Sequence, residues 1–589
     1  MYNNLKLIIK VWKCLSSKRK KSLVFLNFFM IITSISEAIS IGAVLPFLSI
    51  LTSPEKIFKN SFISPYLDFF KLDSPSDLLL PITLIFALTI FLAGSSRMFL
   101  LWFQTKLSWS IGGDLAVNAY ERILYQSYST HISKNSSEII EGSVKARDLI
   151  GSIIQPTLNI VGSIIIILAV ISILLTVNTK ITLISFIGIS AIYLFLLKAT
   201  KVIVTKNSKI IANQQVHLTK AIQEGLGNIR DVLIHGNQET YKNIYQNSFD
   251  KFKNSSIANQ IITRSPRYII ETLGILLIIT LAYILTYQDL LSTKNLNSDE
   301  TFLSAVPILG TIALGAQRLL PLAQQIFASF STISSNSASI NDALELLYLP
   351  IPKKKFSNSS QLVFKKSIFL KDISFKYSEN GDWVLKNINL EIPKGSKVGF
   401  IGKTGSGKST LLDIIMALIP PTSGSLLIDG VKVNYNNSFL WQANISHVPQ
   451  DIFMADTTIL ENIALGIPVN QIDLNRVYKV AKDAKISNQI EKFTKKYKTY
   501  IGERGVRLSG GQKQRIGIAR AIYKKSSVIV FDEATSALDL DTEALVMNSI
   551  KNFDEKLTVL IAAHRKSTLN FCDFIINLDK GIISKVIKK

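Results

Sequence analysis

Six long apolar runs dominate the first half of the chain. Each is longer than the roughly 20 apolar residues that a helix needs to cross a bilayer. The runs predict about six transmembrane helices, which lie near residues 22–51, 78–105, 151–177, 181–204, 266–288 and 301–331.

The polar connections between these runs differ in length, which predicts how the helices are arranged. The stretch after the second run and the stretch at about 202–265 keep a helical period, whereas the connections near 178–180 and 289–300 are short. We therefore expect spans two to five to be long helices that extend well into the cytoplasm. A basic cluster at residues 18–21 precedes the first run, and the positive-inside rule places the N-terminus in the cytoplasm.

The pattern changes near residue 350. Pro350 and Pro352 end the last helical run, and strand-like segments separated by turns follow. We predict a transmembrane domain over residues 1–349, a linker over 350–364 and an α/β domain over 365–589.

Charge and composition favour a membrane protein. The 589 residues carry a formal net charge of +24, and 48% of them are hydrophobic. A basic protein can bind nucleic acid, but lysines beside apolar runs are what the positive-inside rule expects of cytoplasmic loops. We expect membrane lipids and no nucleic acid as partners. The two cysteines, Cys14 and Cys572, indicate no disulfide framework.

A glycine-rich loop between a predicted strand and a predicted helix organises the second half. Its pattern, G-x-x-x-x-G-K-S, lets backbone N–H groups surround phosphate oxygens. Lys408 can reach the β- and γ-phosphates, and Ser409 can ligate Mg²⁺. The loop consists of Gly402, Lys403, Thr404, Gly405, Ser406, Gly407, Lys408, Ser409 and Thr410.

Two further patterns fit a nucleotide site. An apolar strand ends in Asp532 and Glu533, which predicts a carboxylate near the metal and a second one that orients or activates water. A Ser-Gly-Gly turn opens a helix near residue 513, and a helix N-terminus of this kind can bind a second anion. This turn consists of Ser509, Gly510, Gly511 and Gln512.

Together these motifs resemble those of the ATP-binding cassette (ABC) domain. Residues 402–410 are similar to its Walker A loop, 528–533 to its Walker B strand and 508–512 to its signature motif. Other matching positions are Tyr377 for the adenine-stacking aromatic, Gln450 for the Q-loop glutamine, Asp539 for the D-loop aspartate and His564 for the switch histidine.

The resemblance implies ATP and Mg²⁺ as cofactors. The metal ligands it implies are Ser409, Gln450 and Asp532, and the catalytic residues it implies are Glu533, His564 and Gln450. The remaining motif residues would bind the nucleotide, some of them across a head-to-tail dimer. One membrane half joined to one cassette implies an exporter that works as a homodimer in the inner (plasma) membrane. The turns near Tyr128–Lys134 and Asn228–His235 would be its coupling helices.

Charged residues inside the runs are the direct clue to the cargo. Arg97, Arg267 and Arg318 could face one cavity and bind a phosphorylated headgroup, because guanidinium pairs bidentately with phosphate. In the alternative, Glu37 pairs with one arginine and the others extend to an interface. The residues alone leave both open.

The membrane half also looks like the lipid-linked oligosaccharide flippases of bacteria, in stretches at residues 36–47, 265–271 and 315–321. In that family, cavity arginines engage the pyrophosphate of a polyprenyl-linked sugar, and the three arginines occupy matching positions. The resemblance implies movement of such a lipid from the inner to the outer leaflet by alternating access. An exporter of another lipid, drug or peptide is the alternative, and an ATP-gated channel or regulator is a rival of another class.

Overall fold

The structure is a computed structural model that describes residues 2–52, 74–177, 179–292, 298–351, 362–534, 540–551, 556–563, 565 and 569–588. The chain forms two compact units: residues 1–126 with 133–351, and residues 127–132 with 352–589. The division after residue 351 falls inside the predicted linker. The second unit takes in residues 127–132, most of the first predicted coupling turn.

The helices up to residue 347 follow the apolar runs and their polar extensions. They are α1 (Tyr2–Cys14), α2 (Ser17–Gly42), α3 (Val44–Thr52), α4 (Leu79–Leu124), α5 (Tyr128–Ser133), α6 (Ser136–Leu149), α7 (Gln155–Val177), α8 (Thr179–Gly227), α9 (Ile229–Ile234), α10 (Gln238–Ser292), α11 (Ser298–Ser335) and α12 (Ser337–Leu347). A π-helical turn, Ile150–Ile154, joins α6 to α7.

Four helical segments of the described residues are long and apolar enough to cross a membrane, and they overlap predicted spans one to four. The fifth and sixth predicted spans lie on α10 and α11, some of whose side chains fall outside the described set, so the total of six stays a prediction. The four segments are Ser17–Thr52, Leu79–Leu124, Ser136–Val177 and Phe186–Gly227.

The predicted long extensions are confirmed. Helices α4, α8 and α10 have 46, 49 and 55 residues. At 1.5 Å per residue they are roughly 70 to 80 Å long, more than twice the thickness of the hydrocarbon core. Short helices, α5 and α9, lie at the two turns that were expected to join them.

The second unit is built on two sheets. Its strands are β1 (Ser367–Phe375), β2 (Leu385–Pro393), β3 (Lys397–Ile401), β4 (Ser423–Ile428), β5 (Val431–Lys432), β6 (Ile445–Val448), β7 (Val528–Asp532), β8 (Thr558–Ala562), β9 (Phe574–Asp579) and β10 (Ile582–Lys588). The order is β2-β1-β4-β5 in the first sheet, which is antiparallel, and β10-β9-β3-β8-β7-β6 in the second.

The neighbouring strands β9, β3, β8, β7 and β6 are parallel, so their carboxyl ends lie at one edge of the sheet. Strand β8 is buried along its whole length, as its apolar sequence requires for a strand covered on both faces. The helices of this unit are α13 (Lys408–Ile415), α14 (Ser438–Gln442), α15 (Ile459–Ile463), α16 (Leu474–Asp483), α17 (Ser487–Ile490), α18 (Gly510–Tyr523) and α19 (Leu540–Lys551). The predicted fold class, a helical membrane domain followed by an α/β domain, is confirmed.

Candidate functional site

The glycine-rich loop connects β3 to α13 at the carboxyl edge of the second sheet. Gly405 and Gly407 have φ angles of 80° and 97°, in the left-handed region that favours glycine. A Cβ on Gly407 would lie 2.8 Å from a methyl group of Leu385 and 3.1 Å from the carbonyl oxygen of Val384. The loop conformation and its packing therefore both require glycine at this position.

The loop fits a nucleotide phosphate. The Ser406 side chain is buried, and among the described residues its Oγ has no hydrogen-bond partner. A buried hydroxyl without a partner is costly, and a phosphate oxygen held by the loop would satisfy it. Lys408 is also buried; its Nζ donates to the carbonyl oxygens of Gly402 at 2.9 Å and Lys403 at 3.3 Å.

The end of β7 brings two carboxylates to this loop. Ser409 Oγ donates to Asp532 Oδ1 at 3.1 Å, and Lys408 Nζ lies 3.9 Å from Glu533 Oε1. Burial raises the pKa of Asp532, and the hydrogen bond from Ser409 opposes the shift. A hydroxyl beside a carboxylate oxygen is a donor set that suits Mg²⁺. The structure thus unites the two predicted motifs in one site.

Glu533 has a strained backbone. Its φ angle is 50°, which is uncommon for a residue with a side chain, and its N–H donates to the carbonyl oxygen of Ala562 at 3.1 Å. This hydrogen bond to β8 holds the backbone of Glu533 in this conformation, which fixes the direction in which its side chain leaves the backbone. Strain of this kind tends to occur at functional positions.

Two other predicted residues lie near the same edge. The Tyr377 hydroxyl and Thr410 Oγ1 are 3.0 Å apart, and the exposed tyrosine ring makes an edge contact with Phe375. Gln450 follows β6, whose last residue, Val448, is paired with the residue before Asp532. The register therefore puts Gln450 at the same edge of the sheet as the two carboxylates.

The Ser-Gly-Gly turn caps α18. Ser509 Oγ accepts from the Gln512 N–H at 3.3 Å, and Gln512 Oε1 accepts from the Ser509 N–H at 3.0 Å. This capping box leaves Gly510 and Gly511 in the first turn of the helix, where backbone N–H groups are available to an anion. Asp539 and His564 lie outside the described residues, so their predicted roles stay predictions.

One acid near this edge of the sheet was missed in the sequence analysis. Asp413 lies on α13, and burial together with the charge of Asp532 raises its pKa to about 6. The available signal was its spacing, because a residue four positions after Ser409 lies on the same face of the helix.

The predicted cargo residues fall into two groups. Glu37 on α2 is buried, and its two carboxylate oxygens lie 2.5 Å from Arg97 Nε and 3.8 Å from Arg318 Nε. Arg267 instead pairs with Glu271, one turn further along α10, at 2.7 Å. The structure therefore matches neither alternative in full: Glu37 lies beside both Arg97 and Arg318, and Arg267 pairs elsewhere.

Comparisons with known proteins agree with this architecture. Family models match residues 22–311, as the ABC transporter transmembrane region, and residues 385–536, as ABC transporter. A bacterial Atm1-family ABC exporter, solved with ATP bound, has the same fold with a TM-score of 0.80 and 21% identity, over 96% of both chains.

Two curated relatives differ in how much of them the chain spans. The putative multidrug export ATP-binding/permease protein YgaD of Bacillus subtilis (strain 168) is 29% identical over 507 residues, 83% of this chain and 82% of YgaD. The alpha-hemolysin translocation ATP-binding protein HlyB of Escherichia coli O157:H7 is 36% identical over 241 residues, 41% of this chain but only 34% of HlyB. Because the two family models cover the membrane half and the nucleotide-binding half in the order in which the fold presents them, the chain belongs to the ABC transporter family, as a membrane exporter of half-transporter size whose cytoplasmic domain couples ATP hydrolysis to transport.

Proposed function

We propose that this exporter works as a homodimer and moves an amphipathic compound with an anionic headgroup out of the inner leaflet. The cargo we favour is a lipid-linked oligosaccharide of the polyprenyl-pyrophosphate type, carried to the outer leaflet by alternating access. The observation that supports an anionic cargo is the group of Glu37, Arg97 and Arg318 on helices predicted to span the membrane.

This group has more positive than negative charge. The Glu37 side chain is 3% exposed, whereas those of Arg97 and Arg318 are each 39% exposed. One carboxylate facing two guanidinium groups has a formal charge of +1. A charge within the bilayer costs roughly 2.5 to 3.5 kcal/mol on insertion scales, and an anionic headgroup that pairs with the exposed guanidinium edges would offset this cost.

Arg267 contributes less to this argument. Its side chain is 54% exposed, and its charge is already balanced by Glu271 on the same helix. We therefore expect replacement of Arg267 to reduce cargo transport less than replacement of Arg97 or Arg318.

In the ATP cycle, Lys408 and the loop amides would hold the phosphates, and Ser409, Asp532 and Gln450 would hold Mg²⁺. The Glu533 carboxylate would accept a proton from the attacking water, and His564 would contact the γ-phosphate as the switch histidine. The contact between Ser409 and Asp532 supports this assignment, because it already places two metal ligands side by side.

A second copy of the chain completes the nucleotide site. The first turn of α18 offers a second anion site, although one phosphate loop is enough for one nucleotide. We therefore assign this turn, together with Asp539, to binding the nucleotide held by the partner. The second predicted coupling turn supports the same view: on α9, Leu233 and Ile234 are 60% and 69% exposed. A partner would cover these apolar side chains.

The test is ATP-dependent movement of a polyprenyl-pyrophosphate oligosaccharide in proteoliposomes of the purified protein. Glu533→Gln is the blank, because it keeps the phosphate contacts and removes the base. We expect Arg318→Ala and Arg97→Ala to lower transport at least about tenfold while ATP hydrolysis without cargo continues. Arg147→Ala, which removes an exposed pair with Asp148, is the matched control.

The results distinguish the proposals. Movement that the blank lacks and that both cluster variants lose supports the flippase. Normal transport by Arg318→Ala and Arg97→Ala would remove the cluster from cargo binding. Healthy ATP hydrolysis without movement of this lipid would favour an exporter of another lipid, drug or peptide. The name of YgaD refers to multidrug export, and the name of HlyB refers to translocation of alpha-hemolysin.

A further inference from the structure

Two helices that carry the group of Glu37, Arg97 and Arg318 also carry an amide seven residues further along. Arg97 is followed by Gln104 on α4, and Arg318 is followed by Gln325 on α11. Seven residues are close to two helical turns, so each amide lies on nearly the same side of its helix as the arginine, about 10 Å further along the axis. The predicted order of spans runs both helices toward the cytoplasm, which places both amides on the cytoplasmic side of the arginines.

Helix α7 contacts both of these amides. Gln104 Nε2 donates to Oδ1 of Asn159 on α7 at 2.7 Å. One turn further along α7, Ser163 Oγ donates to Gln325 Oε1 at 2.9 Å. Because residues four apart lie on the same side of a helix, the two contacts are separated by about one turn in depth. Gln104, Asn159 and Gln325 therefore form an amide cluster at one level of the membrane domain.

The contacts within the amide cluster use only part of its hydrogen-bonding capacity. A side-chain amide has one acceptor oxygen and two N–H donors. Among the described residues, Gln104 Oε1, Asn159 Nδ2 and Gln325 Nε2 have no hydrogen-bond partner. Gln325 is exposed, and the other two residues are half-buried. The cluster thus offers donors and an acceptor to a ligand.

The chemistry of the amide cluster differs from that of the charged group. Guanidinium groups suit a phosphate, whereas neutral donors and acceptors suit hydroxyl groups, which both donate and accept hydrogen bonds. A few such polar groups are enough to orient a ligand and to make its binding specific. A ligand that uses both sets of residues has an anionic part and, about 10 Å away, a neutral part rich in hydroxyl groups.

We propose that Gln104, Asn159 and Gln325 bind the saccharide of the cargo while Arg97 and Arg318 bind its anionic headgroup. This assignment rests on the proposed function, and it adds the residues that select for the sugar. Hydrogen bonds between membrane helices also hold helices together. That structural role would affect ligands with and without a sugar equally, so the two roles can be separated by experiment.

The test compares three ligands by isothermal titration calorimetry, with the full chain in lipid nanodiscs free of glycoside detergent. The ligands are farnesyl pyrophosphate, farnesyl pyrophosphate that carries a neutral disaccharide, and a farnesyl disaccharide without phosphate. We expect wild type to bind the second ligand about tenfold more tightly than the first, a difference that one or two net hydrogen bonds supply.

The double variant Gln104→Leu/Asn159→Leu should lose this tenfold difference and keep its affinity for farnesyl pyrophosphate. Replacing both members of the pair leaves no polar group without its partner, which limits the structural cost. Asn207→Leu/Asn259→Leu is the matched control: it removes an amide pair of 3.0 Å between α8 and α10, outside the predicted spans, and should keep the difference. Gln325→Leu should reduce the difference.

The outcomes separate the saccharide site from the proposed function. Equal affinity of wild type for the first two ligands, or a difference that the double variant keeps, would overturn the saccharide site and leave the anionic headgroup standing. Loss of affinity for every ligand in the double variant would assign the amides to helix packing and overturn the site as well. Binding of the farnesyl disaccharide that needs the amides but neither the pyrophosphate nor Arg97 would support the saccharide site and contradict the anionic cargo. Binding of none of the three ligands would overturn both.

Discussion

Replacing Asp342 with asparagine should destabilise the protein more than replacing its partner, Lys145, with methionine. The two side chains form a salt bridge of 2.7 Å between α6 and α12, but Lys145 is 4% exposed and Asp342 is 46% exposed. Lys145 Nζ also donates to the carbonyl oxygen of Ala212 on α8 at 3.0 Å. One buried ammonium thus connects three helices of the membrane domain.

The difference in exposure determines the expected magnitudes. Asp342→Asn leaves a buried cation with only neutral acceptors, and removing one partner of a buried pair costs about 3 kcal/mol or more. Lys145→Met leaves a carboxylate that water can reach, so we expect a loss of about 1 kcal/mol. The double variant should resemble Lys145→Met, because it leaves no buried charge.

The assay is the apparent melting temperature of the full chain in detergent. We expect Asp342→Asn to melt several degrees below Lys145→Met. A matched control is the exposed pair Lys253–Asp250, whose side chains are 47% and 43% exposed. Its two single variants should differ little from wild type. Equal losses from the two buried-pair variants, or a larger loss from Lys145→Met, would refute the reasoning.

Two further predictions concern the ATP-binding domain. Because the pKa of Asp413 is raised to about 6, its ionisation lowers the free energy of unfolding as pH rises from about 4 to 6. Near pH 8, Asp413→Asn should therefore be more stable than wild type by about 1 kcal/mol, after allowance for screening by solvent, and should melt at a higher temperature. Most of this difference should disappear near pH 4.5. A difference that does not change with pH would contradict the assignment. Gly407→Ala should weaken ATP binding at least about tenfold by nucleotide titration, because the new Cβ meets Leu385 and the φ angle of 97° is strained. Gly94→Ala, where a Cβ meets nothing within 4 Å, is its control.

The apolar pattern predicted the membrane helices well, but not their internal breaks. The first run was predicted as one span, but it forms two helices: α2 ends at Gly42, and α3 begins at Val44. Pro46 lies in the first turn of α3, where its missing N–H costs no hydrogen bond. The helical segment that contains the third span begins well before the apolar run. The polar helix α6 continues into it through the π-helical turn, which lies before Pro156. Hydropathy measures solvent preference and does not register such changes of helical geometry.

The nucleotide site was predictable because its parts are local. A loop between a strand and a helix is encoded by consecutive residues, and the parallel pairing of β3, β8 and β7 brings such loops to one edge. Contacts that depend on packing between distant helices were not predictable to the same extent. The sequence left open whether Glu37 pairs with one arginine or the three arginines face one cavity. Only the arrangement of α2, α4 and α11 shows that Glu37 reaches both Arg97 and Arg318.

In the phosphate loop and in the group of Glu37, Arg97 and Arg318, the cationic side chains already have contacts within the protein. A bound anion would replace some of these contacts. In the ATP-binding domain, Lys408 donates to two carbonyl oxygens of its own loop, and a phosphate competes for the same ammonium. In the membrane domain, Glu37 already faces the two guanidinium groups that we assign to an anionic headgroup. An exchanged contact contributes only the difference between two interactions, so net binding is weaker than a count of contacts suggests. A transporter must release its nucleotide and its cargo in every cycle, and a moderate net affinity at both sites permits that release.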